Sequence, residues 1–264
     1  MNTTPIGSHL AFPRLERDDD PAGHLLAQAP MRQVSWVSFV ALTAVVGLGP
    51  LSACEPDTET RFTPHACLNR LTTDPDFVDL STIPWVAIDL KYASQDNFIG
   101  ENLYGDFRTA LLHRIAAGQL EVSAMALQAL KPGWKLLVFD GLRPRTVQRQ
   151  FWNRVKGTPQ QEYVADPDNG SIHNFGFAVD VSLMDEVGRE VDMGTSFDDF
   201  SPLSDPRRED EFLKAGKLTP AQVENRRILR RVMSKAGFIQ YPIEWWHFDA
   251  LPADIVRKNY PIVE

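Results

Sequence analysis

Two short segments about seventy residues apart carry most of the chemistry this chain can do. They are Ser171-Ile-His173-Asn-Phe-Gly176-Phe-Ala-Val-Asp180 and Glu244-Trp-Trp-His247. Together they bring two imidazoles and two carboxylates into otherwise apolar sequence. Burying such groups is costly unless they are paired or bound to metal. His173, Asp180 and His247 make a set that can hold one zinc ion and leave its fourth position open to water. Glu244 is then the carboxylate left over to take a proton from that water. The pattern predicts a metallohydrolase centre. His9, His24, His65 and His113 have no such company and read as surface or satisfied core residues. The helical His-Glu-x-x-His arrangement is absent.

The spacing constrains the elements that present these groups. His173 and Asp180 are seven apart, so a tight turn at Gly176 would deliver one ligand before a strand and the next from within it. Glu244 and His247 are three apart, which on a regular strand puts them on opposite faces; a turn or bulge must lie between them. A third segment, Phe139-Asp140-Gly-Leu-Arg143-Pro144, supplies a cation between a buried strand and a helix. Arg143 there can polarise a carbonyl or stabilise an oxyanion, with Asp140 orienting it. A helix-entry salt bridge explains the same pair equally well.

The remaining elements follow from periodicity. Residues 86–92 alternate as a strand, and 109–130 have helical spacing stopped by Lys131-Pro-Gly133. Residues 134–139 read as a buried strand, 144–155 as a helix with Pro144 in its first turn, and 175–183 as a strand. Residues 220–236 read as a helix ended by Gly237, and 245–248 as an aromatic strand. Helices and strands mix without regular βαβ repetition. The expected class is α+β, a mostly antiparallel central sheet flanked by helices with the zinc site on the sheet.

At 264 residues, 43% hydrophobic and 23% charged, the chain supports one globular domain with appendages. A net charge of -8 without a basic patch argues against a nucleic-acid partner. Arg226, Arg227, Arg230 and Arg231 fall at helical spacing and read as a solvated face. Residues 1–53 read as a leader, with Met31 as an alternative start. Its uncharged stretch from Val34 to Leu48 precedes Leu51-Ser-Ala-Cys54, similar to a bacterial lipoprotein signal and lipobox. Cys54 would then carry a lipid, residues 54–81 would tether a domain beginning at 82, and Cys67 would be a free thiol. Glu55 leans the expected location toward the outer membrane, on the periplasmic side.

The two site segments taken together resemble the D-alanyl-D-alanine dipeptidases, the VanX-like branch of the M15 zinc peptidases. Lys91-Tyr-Ala-Ser-Gln-Asp-Asn-Phe-Ile-Gly100, Asp140-Gly-Leu-Arg-Pro144, Met193-Gly-Thr-Ser-Phe-Asp198, Asn225-Arg-Arg-Ile-Leu-Arg230 and Gly237-Phe-Ile-Gln-Tyr241 fit the same pattern, in order, from about residue 82 to 250. The resemblance implies one zinc held by His173, Asp180 and His247, with Glu244 as base and later acid and Arg143 on the oxyanion. It also implies that Tyr92, Ser171 and Asp198 hold the free amino end of a small dipeptide. The chain departs from the family in carrying Asn174, Phe175 and Phe177 between His173 and Asp180, and the two phenylalanines predict a reshaped pocket. Two other functions fit the motifs: a peptidoglycan carboxypeptidase or endopeptidase acting on N-blocked stem peptides, and a catalytically idle zinc-binding module.

Overall fold

The computed structural model describes residues 63–264. The segment expected to be a leader, residues 1–53, and the expected lipidation position Cys54 lie outside them. Residues 64–81, read as tether, are folded: helix α1 (Pro64–Leu71) buries Cys67 and Leu68, strand β1 (Phe77–Asp79) follows, and Leu80 is buried just beyond it. Cys67 is disulfide-bonded, which corrects the expectation of a free thiol.

Five strands form the central sheet in the order β2 (Val86–Ile88), β4 (Lys135–Asp140), β5 (Ala178–Met184), β7 (His247–Asp249) and β6 (Ile239–Gln240). The sheet is mixed rather than mostly antiparallel, because β2 runs parallel to β4. Parallel neighbours need a long crossover, and helix α2 (Arg114–Leu130) supplies it. Residues 109–113, read as the start of that helix, instead contain β3 (Leu111–His113), which pairs with β1. His113 then caps α2, its Nδ1 accepting from the Ile115 N–H at 3.3 Å. The reading of His113 as a satisfied core residue therefore holds.

β4 and β5 are buried almost throughout, as near-continuous apolar strands with few polar exceptions. α2 buries Ala116, Ala117, Leu120, Ala124 and Leu127 at three- and four-residue steps and packs against helix α5 (Pro220–Lys235). Thr219 and Gln222 form a capping box at the start of α5, and Pro220 occupies its first turn.

The arginine cluster on α5 is not a uniformly solvated face. Arg227 and Arg230 make ion pairs with Asp210 and Glu209, but Arg226 is buried. Its Nε donates to Met193 O at 2.6 Å and its Nη1 to Leu203 O at 3.0 Å. Gln222 and Asn225 add bonds to Asp192. Helix α5 thus pins the 192–203 loop, which carries Asp198.

Candidate metal centre

Sheet register brings the site together. Asp140 pairs with Asp180 across β4 and β5, and Asp180 with His247 across β5 and β7. Residues paired this way share a face of the sheet, so three strands present one polar row. His173 joins from a short 3-10 turn, Ile172–Phe175, ahead of β5. That turn is closed by Gly176 at φ +74°, whose N–H donates to His173 O at 3.0 Å. A Cβ there would meet a Phe77 ring carbon at 2.9 Å and the His113 backbone nitrogen at 3.0 Å, so both conformation and space demand glycine. Asn174 holds the turn in place: its Oδ1 accepts from the Ser171 N–H and its Nδ2 donates to Arg143 O, both at 2.7 Å.

His173 Nε2, His247 Nδ1 and Asp180 Oδ1 face one another at 3.1, 3.2 and 3.3 Å. Three ligands on a tetrahedral ion at ordinary zinc distances would be about 3.3 Å apart. The outer nitrogens are also engaged. His173 Nδ1 lies 2.7 Å from Gly141 O, and His247 Nε2 lies 3.0 Å from Asp249 Oδ1. Each contact favours a proton on the outer nitrogen and a lone pair on the inner one, as metal-ligating histidines require. His173, Asp180 and His247 therefore fit a divalent metal ion.

The electrostatics point the same way. Burial alone would raise the Asp180 carboxyl, but His173 and His247 hold it well below the usual range. Burial would lower His247, yet its bonds to Asp180 and Asp249 push it well above an ordinary imidazole. In the metal-free row, a protonated His247 balances Asp180 and Asp249, the charge that a divalent ion would replace.

Arg143 is buried beside it. Nε donates to Asp140 Oδ2 at 2.8 Å, Nη1 to Gln148 Oε1 at 3.0 Å and Nη2 to Asp180 Oδ2 at 3.2 Å. Asp140 is in turn held by the Tyr104 hydroxyl at 2.7 Å. The guanidinium also stacks 4.6 Å from the Phe151 ring centroid. Burial disfavours its charge, but Asp140 and Asp180 more than offset that and raise its pKa. The alternative of a mere helix-entry salt bridge falls short, since Arg143 also touches Asp180 and lines the cleft.

Glu244 lies in the turn between β6 and β7, where the spacing demanded one, with Oε2 3.8 Å from His247 Nδ1. Burial raises it to about 8, with Asp180 and Asp198 adding to the effect and His247 and Arg143 opposing it. These groups line a cleft of about 280 Å³. On its Asp180 side, Tyr92 donates to Asp198 Oδ1 at 3.0 Å, and the Phe98 N–H donates to Oδ2 at 3.3 Å. Asp198 adopts φ +60°, a strained conformation for a non-glycine residue. Ser171 lines the cleft as well. Phe175 and Phe177 do not: Phe177 stacks on His113, and Phe175 lines a separate cavity. The expected reshaping of the pocket by these two rings is therefore corrected.

Sequence reasoning passed over Asp249, Gln148 and Tyr104, and gave Asn174 no role in holding the site. Asp249 had a signal, because it stands two residues beyond His247 on one strand and so shares its face. Asn174 caps the His173 turn locally and Gln148 lies five residues beyond Arg143, but their side-chain partners carry no sequence signature; Tyr104 reaches Asp140 only through tertiary packing.

A profile of M15 peptidases, described as D-Ala-D-Ala dipeptidase, matches residues 73–264. A D-alanyl-D-alanine dipeptidase of Escherichia coli K12 is 34% identical over 189 residues, covering 71% of this chain and 89% of that protein. Relatives of the same name from Synechocystis and Enterococcus faecalis are 28% and 31% identical, covering 62% and 66% of this chain and 74% and 87% of theirs. The chain belongs to the M15 D-Ala-D-Ala dipeptidase family. As an M15 enzyme it is a metallopeptidase, and the His173, Asp180 and His247 cluster is the metal-capable group among its described residues.

Proposed function

We propose that this protein is a zinc dipeptidase that hydrolyses D-alanyl-D-alanine, or a closely related dipeptide, to free amino acids. The observation that carries this reading is the placement of Asp198 and Tyr92 in the same cleft as the His-Asp-His cluster. An ammonium needs a carboxylate partner, so a free amino terminus fits there and an N-blocked peptide does not. That favours a dipeptidase over a carboxypeptidase acting on blocked stem peptides. Glu244 and Arg143 argue against an idle binding module, because a structural zinc site uses a fourth protein ligand and needs no base.

His173, Asp180 and His247 would hold the metal, which supplies Lewis acidity and a water of lowered pKa. The remaining work falls to the chain. Glu244, within reach of the open side of the cluster, takes the water proton and passes it to the leaving amine. Arg143, fixed by Asp140 and Gln148, presents a permanent positive charge to the oxyanion that develops on the scissile carbonyl. Asp198, Tyr92 and Ser171 hold the amino end. The test compares D-alanine release from D-Ala-D-Ala and from its N-acetyl form, with Glu244→Ala as blank. Release mainly from the acetylated substrate would overturn the reading.

The leader 1–53 and the Leu-Ser-Ala-Cys54 sequence support export to the cell envelope on the periplasmic face, with Glu55 favouring the outer membrane. The disulfide at Cys67 supports export too, since such bonds persist in oxidising compartments. Lipidation of Cys54 would anchor the exported chain to the membrane. Intact mass without reductant, with labelled-palmitate incorporation, separates lipid-anchored from merely exported protein.

A further inference from the structure

A zwitterionic dipeptide carries a carboxylate about 7 Å from its ammonium when extended. Asp198 accounts for one end of that substrate; the other end needs a cation. Among the described residues, two arginines line the cleft, Arg143 and Arg257. Arg143 is buried and engaged by Asp140, Asp180 and Gln148. Arg257 is placed differently. It projects from α6 (Ala253–Asn259), is exposed, and spends Nε on Asn169 O at 3.2 Å and Nη2 on Gly170 O at 3.0 Å. A guanidinium has five N–H donors, so this clamp leaves others to turn toward the cleft.

The position along the cleft also fits. Gly170 precedes Ser171, which lines the cleft two residues before His173. Asp249 and Ala253 line the cleft with Arg257, and Asp249 sits on the outer nitrogen of His247. Asp198 lies with Tyr92, Arg143 and Asp180 on the other side of the ligand row. The two cleft guanidiniums thus differ in their partners: Arg143, near Asp198, is held by carboxylates, whereas Arg257 is bonded to backbone carbonyls. Its two clamping bonds would hold the Arg257 fork at the rim and so reduce the ordering cost of binding.

Building on the dipeptidase reading, we propose that Arg257 binds the C-terminal carboxylate of the substrate and selects peptides that end at the leaving residue. Longer chains and C-terminal amides lack that charge there and are rejected. The second role open to Arg257 is a structural one, tying α6 to the 169–170 turn, and the test separates the two.

Metal-loaded full-length protein is assayed with D-Ala-D-Ala and with D-alanyl-D-alaninamide, as wild type, Arg257→Met and Arg257→Lys. Wild type is expected to prefer the acid. Arg257→Met should raise KM for the acid about 10- to 100-fold, as loss of a charge-assisted bond implies, with kcat within about threefold. Its activity on the amide should stay near wild type, so the acid-to-amide preference collapses. Arg257→Lys keeps a cation at the rim and should retain most of that preference, which keeps the test decisive if the Met variant fails to fold. Equal losses on both substrates, or loss of the preference in Arg257→Lys, would overturn the assignment while leaving the dipeptidase reading intact. Hydrolysis of neither substrate by wild type would sink the dipeptidase reading and this inference with it.

Discussion

Asp249 offers the sharpest test of the metal centre, because its role follows from two ring nitrogens and one distance. His247 turns Nδ1 toward Asp180 and His173, and its Nε2 lies 3.0 Å from Asp249 Oδ1. With a metal at Nδ1, the proton must sit on Nε2, and Asp249 accepts it. The bond fixes the ring plane and raises the basicity of Nδ1. A hydrogen bond to a charged partner contributes about 1.5–3 kcal/mol. The two side chains are 12% and 16% exposed, so solvent screens the pair only in part. Asp249→Ala should therefore weaken metal binding about 10- to 100-fold, or about 1.4–2.7 kcal/mol. Asp249→Asn keeps an acceptor without the charge and should fall between. Competition against a chromophoric zinc chelator measures this without reference to turnover. Thermal unfolding gives a second reading, since metal-induced stabilisation follows RT ln(1 + [L]/Kd) and should shrink by the same energy. Metal affinity within about threefold of wild type in Asp249→Ala would refute the reasoning, because nothing else would then depend on the bond.

Glu244→Gln should lower kcat about 10²- to 10⁴-fold, the usual worth of a general base, while metal affinity by chelator competition stays near wild type. Asp198 titrates unusually: burial, then repulsion from Asp180, raises it to about 7. Only its ionised form binds an ammonium, so kcat/KM for a free dipeptide should rise with pH on a limb near or below 7. A bound metal would offset Asp180 and move that limb down. Asp198→Asn should lose the Asp198 contribution to that limb, leaving the one set by Glu244, and show a raised KM at every pH. The stability sign is opposite, since a carboxyl raised on folding makes the folded state less stable as pH climbs from about 4 to about 7. Urea midpoints of metal-free wild type across that range, compared with Asp198→Asn, check it. Gly176→Ala forces an L side chain to φ +74° and a Cβ against the His113 backbone, and should cost about 1–3 kcal/mol by chemical denaturation, with loss of metal affinity because His173 is displaced.

How far the sequence could be read depended on whether a residue's role was local or tertiary. His173, Asp180, Glu244 and His247 stood out because polar, ligating side chains interrupted apolar runs, and the turns at Gly176 and between Glu244 and His247 followed from spacing alone. The parallel pairing of β2 with β4 was not legible. A three-residue strand carries no direction in its pattern, and the crossover became visible only once β3 was seen to pair with β1 and α2 to bridge the gap. β3 itself was absorbed into the helical reading because Leu111 and Leu112 fit both periods. Arg226 misled for a related reason: among four arginines at helical spacing, no local signal distinguishes the one that turns inward to Met193 and Leu203.

That inward arginine links the fold to the proposed specificity. Asp198 is held at a strained φ by a loop with little regular structure of its own, and strain persists only where its surroundings over-determine it. Arg226, Gln222 and Asn225 on α5, with the Trp245 indole donating to Thr195 at 2.7 Å, supply that constraint from outside the cleft. Trp245 directly follows Glu244, so the loop carrying the ammonium partner is bonded to the segment carrying the base. The two ends of the proposed site are thus positioned by different means. Asp198 depends on a buried network tied to the catalytic turn, whereas Arg257 depends on two carbonyl bonds at an exposed rim. Losing a member of the buried network should therefore impair amino-end recognition and catalysis together. Losing Arg257 should impair carboxylate recognition alone.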